Sequence, residues 1–504
     1  MRLDPDKDAV EPVPAVAVLV VVCAAQFMVV LDISVVNVAL PSMRSSLGLG
    51  EVALGWVVNA YALVFAGLLL LGGRLADLFG RRRMLLAGLG VFTVASLVGG
   101  MAESGSWLIG ARAVQGVGAA ALAPVTLAIL TATFEEGPGR TRALAVWTAL
   151  GRAGGTAGNL LGGVLTEWWS WRATLLINVP IGMAALVVAL RVIAADRPAA
   201  RSRLDVPGAV LVTGGLAALT FGVGQAANRG WSAPVTVIGL GAGAVLLAGF
   251  LVAEARWVSS PLIPVRLWRI RSVTAGNLTL LLAGACLNPM WFFSTLSMQA
   301  GLGYSPLQTG LAFLPHTAVT IVVGAWVTPR LMRYVDGRVL IAAGAIPAAA
   351  GFFWQAQLQP ASGYVAGILG PAVVFSIGAG LLNTPITAAV TSGVRREDMG
   401  VASGLMNTTK QAGAALGLAV LITVAVPPTL TGYNRAFTAM AVVMVAVAAS
   451  AVLLPAHRDT VGLSQQRRPG SIEHFTEPPV GHHLGNRDRR GRSGRGRRPA
   501  AGGE

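Results

Sequence analysis

The sequence predicts an all-α membrane protein that crosses the bilayer fourteen times, and three observations carry that reading. Hydrophobic residues make up 54% of the 504-residue chain and charged residues only 12%, against the roughly 25% charged residues with which a soluble chain covers its surface. Apolar runs of about 20 residues recur along the chain, long enough to span hydrocarbon. Arginine collects in alternate gaps between those runs, as loops sorted to one side of a membrane require.

In chain order the runs lie near 14–40, 52–72, 84–102, 107–133, 142–165, 173–194, 206–226, 234–255, 273–298, 306–328, 338–356, 363–391, 400–426 and 433–454. Lipid satisfies no backbone polar group, so each run is predicted to be helical. The first run is too long for a cleaved signal, and no small-residue cleavage site follows it. It reads as a spanning helix that also targets the chain, preceded by a cytoplasmic tail over 1–13.

With the N-terminus inside, the gaps on the cytoplasmic face hold nineteen arginines, from Arg74 to Arg396. The opposite face holds four: Arg44, Arg172, Arg229 and Arg435. That asymmetry predicts a multi-pass protein of the cell membrane with both termini cytoplasmic. A miscounted helix would scramble it.

The basic balance, +16 overall, could suggest nucleic acid, but the charge sits in short gaps and in the polar tail 455–504. That tail reads as disordered. It can adhere to anionic lipid headgroups, and it lacks the interleaved aromatics of a nucleic-acid-binding segment. Cys23 and Cys286 lie inside apolar runs without CxxC spacing, so they are small hydrophobic filler and imply neither disulfide nor metal. No HExxH or other catalytic cluster is present, which argues against a membrane enzyme. No GxxxxGK[ST] segment is present, which excludes an ATP site of that kind.

The chain also repeats weakly at a spacing near 256–262 residues. Leu31-Asp32 matches Leu287-Asn288, and Arg74-Leu75 matches Arg330-Leu331. Gly116 and Gly118 before Pro124 match Gly378 and Gly380 before Pro385. Arg152 and Gly155 match Lys410 and Gly413. The predicted organisation is a six-helix half over 14–194, two inserted helices with their flanking loops over 195–272, and a second six-helix half over 273–454. Parallel six-helix repeats around a midplane site are a transporter design.

The segment from Gly72 to Arg83 reads Gly-Gly-Arg-Leu-Ala-Asp-Leu-Phe-Gly-Arg-Arg-Arg. Its glycines allow a tight turn, and Asp77 among arginines can form ion pairs at a helix end that hold one state closed. Gly73, Arg74, Asp77, Gly80, Arg81 and Arg82 are therefore candidates for a conformational switch. The segment resembles the signature cytoplasmic loop of the major facilitator superfamily. Three more segments are similar to motifs of its fourteen-spanner drug:proton antiporters: Leu31-Asp32-Ile33-Ser34-Val35-Val36-Asn37, Arg112-Ala113-Val114-Gln115-Gly116, and Ser170-Trp171-Arg172 followed by Ile177-Asn178-Val179-Pro180. The Ala, Gly, Val and Arg bias fits a GC-rich genome such as an actinobacterium's.

The resemblance, over about 14–455, implies a monomeric proton-coupled exporter of antibiotics or other small toxic compounds. It implies a small-molecule substrate and no cofactor beyond the proton gradient. A facilitator-type importer or exporter of a metabolite is the alternative; a sensor would need an output domain that the sequence does not contain. The helix-five antiporter motif survives as Gly154, Gly158, Gly162 and Gly163, a small-residue face suited to close packing in lipid. Asn159 stands where that motif places proline, so the expected kink is lost.

Charges at membrane depth are costly and mark function. Asp32 falls ~12 Å and Arg112 ~8 Å from the same face at 1.5 Å per residue, so the two can pair. Burial favours the neutral acid and a nearby guanidinium the carboxylate; a carboxyl balanced between them can carry a proton across. The resemblance assigns coupling roles to both residues. Arg152 and Lys410, at equivalent repeat positions near the midplane, are expected to face each other across a central cavity. Two such cations disfavour a permanently cationic cargo and point to a neutral, zwitterionic or anionic one. Asn288, Gln115, Trp291 and Tyr61 are candidate cavity residues, with Phe65, Phe292 and Trp326 as further aromatics. His316 reads as a packing histidine, and Glu254 as a helix-end group reaching the interface.

Overall fold

A computed structural model describes residues 15–135, 137–194, 205–256, 262–263, 265–395 and 398–454. The tails expected over 1–13 and 455–504 lie outside the described residues. Among those residues every regular element is helical.

The first group comprises α1 (Ala15–Leu47), α2 (Glu51–Phe79), α3 (Arg81–Gly100), α4 (Gly105–Thr133), α5 (Pro138–Trp168), the short α6 (Trp171–Leu176) and α7 (Asn178–Val192). A pair follows, α8 (Val206–Arg229) and α9 (Pro234–Arg256), then a single turn, α10 (Val265–Trp268). The last group is α11 (Arg271–Leu287), α12 (Pro289–Leu296), α13 (Pro306–Val322), α14 (Thr328–Leu331), α15 (Gly337–Gln355), α16 (Gly370–Thr391), α17 (Met399–Val424) and α18 (Leu430–Ser450). Pro289, which lacks the N–H a helix interior needs, marks the break between α11 and α12. π-helical turns at Ser297–Gly301, Val323–Val327 and Val365–Leu369 continue or precede these rods.

Among the described residues, 12 helical stretches are long and apolar enough to cross a membrane. Two more rods, α5 with 31 residues and α17 with 26, fall outside that set. They carry Arg140, Arg142 and Arg152, or Asn407, Lys410 and Gln411, so their mean hydropathy is low although both lie within the bundle. Residue 177 interrupts the predicted sixth run, and residue 288 the ninth.

The Gly72–Arg83 segment, placed between the second and third runs, is itself mostly helical: α2 continues through Phe79, and α3 starts at Arg81. Leu, Ala and Arg favour helix, and the whole turn is made at Gly80, whose φ of +91° suits a residue without Cβ.

The packing pairs recur. In the first group α1 packs on α5, α4 and α7, α2 on α4, and α3 on α4 and α7; in the last, α11 packs on α17, α16 and α18, α13 on α16, and α15 on α16 and α18. The two most extensive crossed contacts between the groups are α2 with α17 and α5 with α13; α1 also meets α12 and α13. At the first, Asn59 Nδ2 donates to the Ala415 carbonyl (3.3 Å) and Thr408 Oγ1 to the Ala66 carbonyl (2.9 Å). At the second, a Cβ on Gly163 would lie 2.7 Å from the Pro306 carbonyl and one on Gly310 2.5 Å from that of Asn159. Helix α8 lies against both α2 and α17, with α9 packed along α8. Between the groups, enclosed by α1, α2, α4, α12 and α17, with Asn288 at the start of α12, is a central cavity.

Candidate coupling and binding site

The site grows from one acid in the middle of α1. Asp32 is fully buried, and Arg112 of α4 is 2% exposed. Arg112 Nη1 donates to Asp32 Oδ2. Asp32 Oδ1 accepts from Asn178 Nδ2 (2.8 Å) and from Gln115 Nε2 (3.1 Å). Arg112 also donates to Gln115 Oε1 (2.8 Å) and, through Nε, to the Val57 carbonyl (3.1 Å). Gln115 Nε2 reaches Ser96 Oγ at 2.7 Å, and the Tyr61 ring centroid lies 4.5 Å from the guanidinium carbon.

Three helices, α1, α4 and α7, thus meet at one carboxylate, and α2 and α3 join the network through Arg112 and Gln115. Desolvating a lone charge costs several kcal/mol, and here the partner cation and two amide donors offset that cost. Arg112 and Gln115 are one helical turn apart, so both side chains leave α4 on one face. The sequence expected the Asp32–Arg112 pair; it did not single out Ser96 or the Asn178 side chain. Asn178 could have been found, as a polar residue inside an apolar run ahead of Pro180.

Beside this network is the central cavity, of about 290 Å³. Tyr61, Asn288, Trp291 and Lys410 line it as expected, as do Phe65 and Phe292, and Arg112 forms part of the wall. Three expected residues are placed differently. Gln115 is fully buried, its amide engaged by Asp32, Ser96 and Arg112, and it belongs to the network rather than the wall. Arg152 does not face Lys410; it lines a separate cavity of about 1000 Å³ between α5 and α13. The reason is rotational. Two residues on an α-helix differ by about 200°, so Gly154 turning to α1 sends Arg152 the other way. Trp326 is 66% exposed and lines neither cavity.

His316 is buried with Nδ1 2.6 Å from Ser376 Oγ, and its ring stacks on Phe375 at 5.2 Å. It lines a void of only about 30 Å³, the setting of a packing histidine. Glu254 does not reach outward: it is 7% exposed and accepts the Leu262 (3.1 Å) and Ile263 (3.0 Å) N–H groups.

The family profile of the Major Facilitator Superfamily matches residues 22–418. The chain belongs to that superfamily. It is 54% identical over 467 residues to the cephamycin export protein CmcT of Amycolatopsis lactamdurans, covering 91% of this chain and 95% of that one. It is 39% identical to the puromycin resistance protein pur8 of Streptomyces alboniger, covering 84% of this chain and 83% of the relative. Among solved structures, the POT family transporter PepTSo superposes with a TM-score of 0.64 at 14% identity, over 90% of this chain and 99% of that one; this likeness concerns the fold alone. The protein is accordingly a multi-pass membrane transporter rather than an enzyme.

In this major facilitator chain, the helix-five glycines form a seam. A Cβ on Gly154, Gly158 or Gly162 would meet the carbonyls of Phe27, Leu31 or Val35 at 2.8, 2.7 and 2.8 Å, so α5 lies backbone to backbone on α1. Gly163 faces the other way, onto α13. In the α2–α3 segment, a Cβ on Gly72 would meet the Ala120 carbonyl at 2.1 Å and one on Gly73 would meet Pro124 at 3.7 Å. Arg82 donates to the Leu190 carbonyl of α7 at 2.7 Å. Arg74 and Arg81 have interaction partners too. The Asp77 side chain lies outside the described residues.

Proposed function

We propose that this transporter is a proton-coupled exporter of antibiotics or related toxic small molecules across the cell membrane. In this reading α5 and α17 also cross the bilayer, for fourteen crossings with both termini cytoplasmic. Two six-helix halves flank the inserted α8–α9 pair. The chain works as a monomer in lipid, with the proton gradient as its energy source and no cofactor.

One observation carries the coupling: a buried carboxylate, beside the cavity, that ties α1 to α4 and α7 within a network of five helices. Protonating Asp32 removes the charge that attracts Arg112, Gln115 and Asn178 together. That weakens the joint between α1, α4 and α7 and favours a rearranged packing of this half. Deprotonation on the other side restores the joint. Removing one partner of a buried ion pair costs about 3–5 kcal/mol, and 1.4 kcal/mol is tenfold in an equilibrium, so the switch is large enough to bias two states. The names of the two relatives, one an export protein and one a resistance protein, support the cargo class and direction.

The test uses inverted vesicles energised by an imposed pH gradient. Wild-type vesicles take up a cephamycin or puromycin and stop when the gradient is collapsed, and Asp32→Asn vesicles lose at least tenfold of the gradient-driven uptake. Equal uptake by the Asn variant would remove Asp32 from the coupling; uptake indifferent to the gradient would remove the proton.

A further inference from the structure

The central cavity contains an imbalance that the coupling network does not use. Its wall has two charged residues, Arg112 and Lys410, and no carboxylate. Arg112 is neutralised by Asp32. Lys410, half-buried on α17, has no ion-pair partner among the described residues, and no hydrogen bond from its ammonium is formed there. An ammonium removed from bulk water and left unpaired is destabilising. Lys7, the only other lysine of the chain, is far off in sequence. Apart from five histidines, every other basic residue is an arginine, whose charge is fixed and whose fork suits permanent pairing. Lys410 is instead a compact, mobile point charge pointing at empty space.

Its surroundings are built for an amphipathic guest. On α17, Asn407, Gln411, Ala414 and Leu418 recur at helical spacing on the cavity side. Across from them Asn288 Nδ2 donates to Gln411 Oε1 at 3.3 Å, which leaves the Gln411 amide nitrogen available as a donor. The remaining wall is mostly apolar: Tyr61, Phe65, Trp291 and Phe292 form its aromatic part, beside aliphatic residues of α1 and α2. One cation, amide donors beside it and an apolar aromatic wall form the complement of an organic anion with a flat apolar body.

Resting on the export reading above, we propose that the cargo is a carboxylate-bearing amphiphile whose carboxylate pairs with Lys410 while its apolar body lies against the Tyr61–Trp291 wall. The pairing supplies the missing counter-charge, so the empty carrier keeps a destabilised ammonium that binding relieves. A permanent cation meets Lys410 as a like charge and is rejected.

The test uses matched pairs of aromatic monocarboxylates and their carboxamides, identical rings with and without the charge, with ethidium as a permanent cation. Uptake into energised inverted vesicles and binding to purified protein in nanodiscs are measured in parallel. Wild type is expected to prefer each acid to its amide by roughly tenfold to a hundredfold, the range a hydrogen bond to a charged group commands. Lys410→Gln should abolish the preference by weakening the acids alone, and Lys410→Arg should retain part of it. Equal handling of acid and amide by wild type overturns the proposal. So does an equal loss for both in Lys410→Gln, or tightest binding of ethidium. The two readings separate cleanly. A charge preference in nanodiscs without uptake sustains the site and removes the export reading. Gradient-driven uptake without charge preference does the reverse.

Discussion

The two halves of the bundle share a packing plan and differ in what they bury. Helices α1–α7 enclose Asp32, Arg112, Gln115, Asn178 and Ser96, a network organised by charge. At repeat-equivalent positions the other half has Asn288 for Asp32 and Val374 for Arg112. Its interior is closed by neutral groups: His316 on Ser376, and Phe375 stacked between His316 and Phe352. Burying charge costs free energy, so the half that keeps a buried ion pair is the one in which that pair is expected to act. On the coupling and cargo roles proposed above, the labour is divided: the first half holds the protonatable joint, and the second presents Lys410 to the cargo.

The largest effect that could break this comparison is expected at Arg112. Arg112→Leu strands a buried carboxylate and should cost about 3–5 kcal/mol in thermal or denaturant unfolding of the purified protein, with much of the loss recovered in the Asp32→Asn, Arg112→Leu double variant. Val374→Ala, at the matching site, should cost about 1 kcal/mol. Comparable losses at the two sites would mean that the network is ordinary scaffolding.

Asn178→Ala tests whether α7 is a member of the joint. Losing a hydrogen bond to a charged group costs about 1.5–3 kcal/mol, read as slowed gradient-driven uptake with substrate binding in nanodiscs preserved. A unchanged uptake rate would take α7 out of the joint.

The glycine seams sharpen the other side of the comparison, where the halves should behave alike. A Cβ on Gly158 would lie 2.7 Å from the Leu31 carbonyl, and one on Gly413 2.3 Å from that of Leu281. Gly158→Ala and Gly413→Ala should therefore destabilise by similar amounts, about 1–3 kcal/mol from overpacking. A tolerant Gly413 would show that only the first half is close-packed.

The smallest effect lies outside both halves' cores. Arg266 hydrogen-bonds Asp398 at the start of α17 and, with the more distant Arg395, holds its carboxyl below the ordinary range. A depressed carboxyl contributes stability above its unfolded pKa and loses it as pH falls through the folded value. Wild type and Asp398→Asn should thus differ by a constant amount under about 1 kcal/mol near neutrality, because Arg266 is half exposed. The difference should begin to shrink as pH falls below about 4 and vanish only below the depressed folded value. A difference that grows on acidification would reverse the sign.

Much of this protein was legible in the sequence. Hydropathy placed most helical rods to within a few residues, because lipid tolerates backbone only when it is hydrogen-bonded within the segment, but α1 and α2 run on past the expected ends at 40 and 72 to Leu47 and Phe79. Similar depth made an Asp32–Arg112 pair possible, and the structure forms it. Composition could not register Asn178 or Ser96, whose polarity is ordinary until three other helices surround them. Nor could it separate Arg152 from Lys410. Sequence fixes height along a helix through a rise of 1.5 Å per residue, but rotation about the axis is decided by packing. Gly154, Gly158 and Gly162 turned α5 toward α1 and sent Arg152 into a different cavity. Which charges exist is written in the chain; which of them meet was settled by the neighbours each helix found.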